Sequence, residues 1–161
     1  MKVIFLDHDG VICLQFGSRH KKQKRYCREN GGVEEAKMPV EFRFDSFDQK
    51  AITVLNEILA ETGAEIVISS DWRFYCTLGE MQDLYSQRGI IKLPIAYTTE
   101  SEMSNRCEEI EHWLSDHPEV EKWVAVDDLD LSKLKSFVRC KKAFEGIKQS
   151  GIKEKIIKLI S

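Results

Sequence analysis

Apolar side chains follow two rhythms along this chain. Short unbroken runs, KVIFL at 2–6, AEIVISS at 64–70, WVAVDD at 123–128 and SFVRC at 136–140, have the length and β-branched content of buried strands. PIAYTT at 94–99 is a weaker strand of the same kind. Between them the spacing turns helical. In residues 46–62 the apolar positions are Ile52, Leu55, Ile58 and Leu59, with Ser46 as the expected N-cap and Gly63 as the stop. Residues 77–88 predict a helix ending at Gly89. Residues 101–115 predict another, with Ile110, Trp113 and Leu114 on one face, and 148–160 predict a closing amphipathic helix. Strands alternating with helices predict an α/β fold with a central parallel sheet flanked by helices.

In such sheets ligands bind beyond the carboxyl ends of the strands. Three of these strands end in polar side chains: Asp7 and Asp9, Ser69 and Ser70, Asp127 and Asp128. In an extended segment Asp7 and Asp9 point one way and His8 the other. Two carboxylates joined by a third from another strand make a hard oxygen site suited to Mg²⁺. A carboxylate beside such a metal can attack phosphorus. A second can protonate the leaving oxygen and later activate water. Ser69 offers a hydroxyl to a phosphoryl oxygen, and a cation is needed to balance charge in the transition state.

One stretch breaks the alternation. Residues 14–45 separate the first strand from the first long helix, and at 32 residues they exceed an ordinary strand-to-helix loop. They carry a basic run, residues 19–28, with six Lys/Arg and no acid. Gly31-Gly32 marks a turn, and VEFRF at 40–44 alternates like a hairpin strand. We read the segment as a flap or small cap inserted in one domain spanning 1–161.

Composition sets bounds. The 161 residues favour one domain, and 42% apolar content suffices for a core. A net charge of −3 excludes polyanion binding by bulk charge, though not by the local basic run. Five scattered cysteines, Cys13, Cys27, Cys76, Cys107 and Cys140, form no CxxC pair. That argues against a disulfide framework or a zinc site and for a reducing, cytoplasmic setting. No apolar run approaches the roughly 20 residues that span a bilayer. The N-terminal run ends in acids and does not read as a signal peptide.

DHDGV at 7–11, IVISS at 66–70 and VAVDD at 124–128 together resemble the haloacid dehalogenase-like (HAD) superfamily. They match its hhhhDxDG(T/V) strand, its strand ending in Ser/Thr and its acidic motif, in order. FDQKAITVLNEILAETGAEIVISSDWR at 47–73, with NRCEEIEHWL at 105–114, resembles more narrowly the small HAD domains associated with Swiss Army knife RNA-repair proteins. The resemblance implies a Rossmann-like fold with a minimal cap and Mg²⁺-dependent phosphomonoester hydrolysis through an aspartyl-phosphate. It implies Asp7 as nucleophile and metal ligand. Asp9 becomes the general acid/base, with its main-chain carbonyl on the metal. Ser69 becomes the phosphate-binding hydroxyl, Asp127 the metal-binding acid, and Asp128 shares that role. The family's basic residue has two candidates. Arg106, in NRCEEI, is favoured, and Arg73 competes, as a substrate or structural contact.

The basic run lies where HAD proteins insert caps. Arg19, Lys21, Lys22, Lys24 and Arg25, with Ser70 and Arg73, are therefore expected to meet a phosphorylated substrate such as an RNA or DNA end or a nucleotide, with Phe16 and Tyr26 available to stack on a base. A phosphomutase or phosphotransferase, or a small-metabolite phosphatase, would share the same catalytic residues. A non-catalytic nucleic-acid-binding module gains nothing from a carboxylate cluster. Trp72 and Trp113 read as packing residues and His8 as a spacer.

Overall fold

The computed structural model describes the chain except at residues 16, 17, 45 and 99–104, and except for the side chains of 18–20. Five parallel strands, β1 (Lys2–Leu6), β2 (Glu65–Ile68), β3 (Pro94–Tyr97), β4 (Lys122–Asp127) and β5 (Phe137–Arg139), form one sheet in the order β3-β2-β1-β4-β5. The five expected strands are these five. Both faces of the sheet are covered, so its central strands read as continuous apolar runs rather than alternating ones. Ile4, Leu6, Ile66, Ile68, Val124 and Val126 face a core shared with α3 (Gln49–Thr62), α4 (Leu78–Gln87) and α6 (Ile152–Ile160). Val3, Phe5, Val67 and Ala125 face a smaller core under α5 (Arg106–Ser115), where Trp113 meets Phe5 edge-on at 5.4 Å.

Helix starts differ from expectation by local chemistry. The N-cap of α3 is Asp48, whose carboxylate accepts from the Ala51 N–H at 2.8 Å, rather than Ser46. Its stop is Gly63, at φ +69°, the left-handed conformation that glycine adopts without a Cβ penalty. Asn105 caps α5, and α6 starts at Ile152, after a separate 3₁₀ turn at Gly146–Lys148.

Segment 14–45 is largely helical among its described residues. It contains α1 (Ser18–Glu29), a 3₁₀ turn at Glu35–Lys37 and the one-turn helix α2 (Val40–Arg43). The hairpin strand expected at 40–44 is therefore helix instead. Val40 and Phe44 stand four apart, one helical turn, and both are buried; Pro39 starts the turn. Phe42 packs against Tyr26 of α1, ring centroids 4.5 Å apart. Tyr26 thus holds α1 to α2. Among the described residues no helix is long and apolar enough to cross a membrane.

Candidate functional site

Register brings the strand ends together. Leu6 pairs with Ile68 on one side and with Val126 on the other, so Asp7, Ser69 and Asp127 leave the sheet at the same level. Main-chain bonds continue past the strand ends: Asp7 N donates to Val126 O at 3.1 Å and Ser69 N to Leu6 O at 3.1 Å. Beyond Asp7 the chain turns sharply, the His8 carbonyl accepting from Val11, Ile12 and Cys13. Gly10 in this turn has φ +78°, and a Cβ there would lie 2.8 Å from Asp128 Oδ2. The left-handed backbone and the close approach of the Asp128 side chain both favour glycine here.

Asp7, Asp127 and Asp128 each bring a carboxylate oxygen within 4.8 Å of the others. Arg106, in the first turn of α5, reaches into the same cluster. Its Nη1 lies 2.7 Å from Asp127 Oδ2 and 3.1 Å from Asp7 Oδ1, and its Nη2 lies 2.8 Å from Asp71 Oδ1. Burial, then Asp127, push the Asp7 carboxyl up to about 7, against the pull of Arg106. Burial and Asp127 raise Asp128 as well. Burial alone works against the Arg106 charge, but Asp7 and Asp127 more than offset it, so this guanidinium stays charged. Three crowded carboxylates beside one arginine are hard oxygen donors with charge left to balance, which fits a divalent cation such as Mg²⁺.

A cavity of about 180 Å³ opens on this cluster, lined by Asp7, Asp9, Ser70, Asp71, Arg106, Asp128 and Leu129. Asp127, 1% exposed, lies behind it, with Oδ1 accepting from Leu129 N at 2.9 Å. Ser69 and Ser70 are both 1% exposed, and of the two Ser70 lines the cavity. Ser70 in addition caps the 3₁₀ turn Asp71–Phe74, accepting from Trp72 N at 3.3 Å.

Two arginines near this rim do different things. Arg73 points inward, donating to the carbonyls of Ser69 and Ser70 at 2.8 and 3.1 Å and to Glu109 Oε2 at 2.6 Å. Glu109 lies one turn along α5 from Arg106, so this buried pair ties the start of α5 to the end of β2. Arg73 does not line the cavity; it positions the helix that carries the arginine that does.

His8 is fully buried. Its Nε2 lies 2.8 Å from the Tyr85 hydroxyl, and its ring stacks on Trp72 at 4.4 Å. Burial, then Arg106, drive it down to about 3, so it is neutral near pH 7 and serves as packing. All five cysteines are free. Burial, then Asp127 and Asp128, push the Cys140 thiol up to about 12, which leaves it inert.

The bases of α1 are elsewhere. Lys22 and Arg25 line a separate groove of about 410 Å³ with Glu29, Glu41, Phe42, Gln87 and Arg88, and Lys21 and Lys24 are exposed on the same helix. Phe16 and the Arg19 side chain lie outside the described residues. Asp71, which shares Arg106, has no signal in the sequence, and Trp72, read as packing, does pack but also donates from Nε1 to Asp9 Oδ2 at 3.0 Å. Both stand in SSDWR at 69–73, the end of the segment that carries the narrower family resemblance.

The model of the HAD domain in Swiss Army Knife RNA repair proteins matches residues 3–151. The chain belongs to that family. A HAD-type hydrolase or phosphatase is the activity class that membership supports, and the fold and acidic rim of this HAD domain agree with it. Comparison with curated proteins and with solved structures gives no match.

Proposed function

We propose that this HAD domain is a Mg²⁺-dependent phosphomonoester hydrolase acting on nucleic-acid ends or nucleotides. The observation that carries the reading is the meeting of Asp7, Asp127, Asp128 and Arg106 at one rim, with Asp9 beside them in a cavity sized for a phosphoryl group. Asp7, Asp127 and Asp128 would hold the metal, with the Asp9 main-chain carbonyl, and a bound Mg²⁺ supplies positive charge for the phosphoryl oxygens.

Asp7 Oδ attacks phosphorus in line, forming an aspartyl-phosphate as the ester P–O bond breaks. Asp9 gives its proton to the leaving alkoxide. The same carboxylate then takes a proton from water, whose oxygen attacks phosphorus and frees Asp7 and inorganic phosphate. Arg106 holds Asp7 in place and adds positive charge at the site, and Ser69 and Ser70 supply hydroxyls on the β2 side. The segment 14–45 would act as a small basic cap in a single domain. Lys21, Lys22, Lys24 and Arg25 would then raise the local concentration of a polyanion without touching the reacting phosphate. The free cysteines suit a reducing cytoplasmic setting.

The test is phosphate release with Mg²⁺ from an aryl phosphate, 3′- and 5′-phosphorylated oligonucleotides, mononucleotides, sugar phosphates and a phosphopeptide. Release that Asp7→Asn abolishes, greatest on the nucleic-acid substrates, is expected. No release from the whole panel by Mg²⁺-loaded protein overturns the reading.

A further inference from the structure

The cavity over the acid cluster measures about 180 Å³, and among the described residues its lining contains no aromatic ring. It can take a phosphoryl group but not the rest of a nucleotide. A second cavity, of about 360 Å³, is lined by Glu35, Ala36, Arg43, Phe44, Phe74 and Tyr75. Phe74 is 45% exposed and Tyr75 70%, consecutive aromatic rings left in water directly after the SSDWR stretch. Contiguous exposed apolar surface rimmed by polar residues, around a mostly apolar cavity with a few polar groups, has the make-up of a ligand site.

Two routes join this cavity to the acid cluster. Asp71 lines the first cavity and begins the 3₁₀ turn that ends at Phe74. Three residues at the 3₁₀ rise place the two about 6 Å apart along the turn. The second route runs through side chains. Asp9 accepts from Trp72, Trp72 stacks on Phe44 at 4.5 Å, and Phe44 lines the second cavity. The two cavities are therefore joined by one short turn, with Asp71 on the acid side and Phe74 on the aromatic side.

The platform is held in place before any ligand arrives. The Arg73 guanidinium covers one face of Phe74, 4.3 Å from the ring centroid, and Arg43 donates to the Tyr75 carbonyl at 2.8 Å. Arg43 also pairs with Glu80, and Glu35 adds an acid at the rim. That charge pattern does not attract phosphate, whereas an uncharged ring with amino groups at its edge suits it.

We propose that the Phe44–Phe74–Tyr75 cavity is a base-stacking subsite that receives the nucleobase of the nucleotide carrying the scissile phosphate. The proposal rests on the phosphomonoesterase reading for the identity of the phosphate site. It gives the enzyme a way to prefer a nucleotide over an aliphatic phosphate without reading base identity, since every base has a stacking face.

The experiment uses the Asp7→Asn chain with Mg²⁺ and fluorescent RNA pentamers phosphorylated at the 3′ or the 5′ end, each with an intact or an abasic terminal nucleotide. Anisotropy titration is expected to show that losing the terminal base weakens binding by about 5- to 150-fold for at least one polarity. Adding Tyr75→Ala or Phe74→Ala should shrink that ratio several-fold, with thermal melting confirming that the chain is folded. An equal ratio with and without the aromatic substitutions, no base penalty at all, or no RNA binding overturns the subsite. Competition by a nucleoside monophosphate as strong as by the pentamer assigns the subsite to free nucleotides; weaker competition assigns it to strand ends. The hydrolase reading is judged separately, by release of phosphate from a small aryl phosphate by the unsubstituted enzyme. Release there with no base penalty rejects the subsite and leaves the chemistry. A base penalty without release from any substrate does the reverse.

Discussion

The indole N–H of Trp72 donates to Asp9 Oδ2 at 3.0 Å, linking a buried ring to the carboxylate given the acid/base role. The ring is held by stacking against both His8, at 4.4 Å, and Phe44, at 4.5 Å. His8 is itself held by the Tyr85 hydroxyl. Trp72 is thus a positioning residue for Asp9. Trp72→Phe keeps a stacked ring and removes the donor. We expect kcat on a phosphomonoester to fall roughly tenfold, in line with one lost hydrogen bond to a charged group, with a smaller change in KM. The acid or base limb of the kcat profile should move with it. An unchanged kcat and pH profile in a folded Trp72→Phe enzyme would count against the role.

The acid cluster predicts stabilisation by metal. Mg²⁺ at a hundredfold excess over its dissociation constant adds about 2.7 kcal/mol to stability. For a chain of this size that raises Tm by about 5–11 °C. Asp127→Asn removes a ligand without changing side-chain shape and should abolish most of the rise. Gly10→Ala should reduce it too, since the added Cβ would meet Asp128 Oδ2 at 2.8 Å in a backbone conformation that disfavours alanine. Melting curves with Mg²⁺ and with EDTA check both. An undiminished rise in Asp127→Asn would place the metal elsewhere.

His8 and Asp7 are chain neighbours with opposite pH signatures. His8 is lowered to about 3 in the fold and titrates near 6.5 unfolded. The unfolded chain therefore binds the proton first. His8's contribution is intact above pH 6.5 and is lost as pH falls from 6.5 towards 3. Asp7 is raised to about 7, above its ordinary 3.8, so its contribution is greatest at low pH and is lost as pH rises from 3.8 to 7. In the overlap the two oppose each other, and the wild-type stability curve should be flatter than either alone. His8→Gln removes one side of the balance. Urea unfolding in EDTA from pH 4 to 8 should show the difference between the wild type and His8→Gln changing by up to about 1.4 kcal/mol per pH unit below 6.5. Parallel curves would mean that His8 titrates alike in the folded and the unfolded chain.

Much of this was legible in the sequence for a physical reason. A parallel sheet buried on both faces forces unbroken apolar runs, and its functional residues sit where those runs stop. KVIFL, EIVI and KWVAVD therefore announced both strands and site. VEFRF misled because five residues with apolar positions at i, i+2 and i+4 satisfy a strand's alternation and one helical turn alike. Ser46 and Asp48 are both good caps, and only the fold chooses between them. The basic run was visible as charge, but its distance from the acid cluster depends on how α1 packs on α2 through Tyr26 and Phe42. Trp72 to Asp9 spans 63 positions and Arg106 to Asp71 spans 35. Contacts of that range leave no local periodicity to read.

Arg73 and Glu109 form the most consequential ion pair away from the cavity. Their side chains are 4% and 8% exposed and their charged atoms lie 2.6 Å apart. Arg73 Nη1 donates to the carbonyls of Ser69 and Ser70 and lies 3.8 Å from the exposed Asp71 carboxylate, so Glu109 is the buried charge that balances the guanidinium. Removing one member leaves a buried charge, which costs about 3–5 kcal/mol. Arg73→Met should therefore lower Tm by roughly 6–20 °C. Glu109→Gln should cost less, because the amide still accepts from the guanidinium. Arg73→Met with Glu109→Leu should recover part of the loss, since no charge is then left unpaired. The double variant separates two jobs. If the pair only stabilises the fold, recovered stability restores activity. If it also sets where α5 begins, the double variant melts near the wild type yet stays slow, because Arg106 is no longer held 3.1 Å from Asp7. We expect the second outcome, read as a low kcat with recovered Tm. Full activity in the double variant would reduce Arg73 to a purely structural residue.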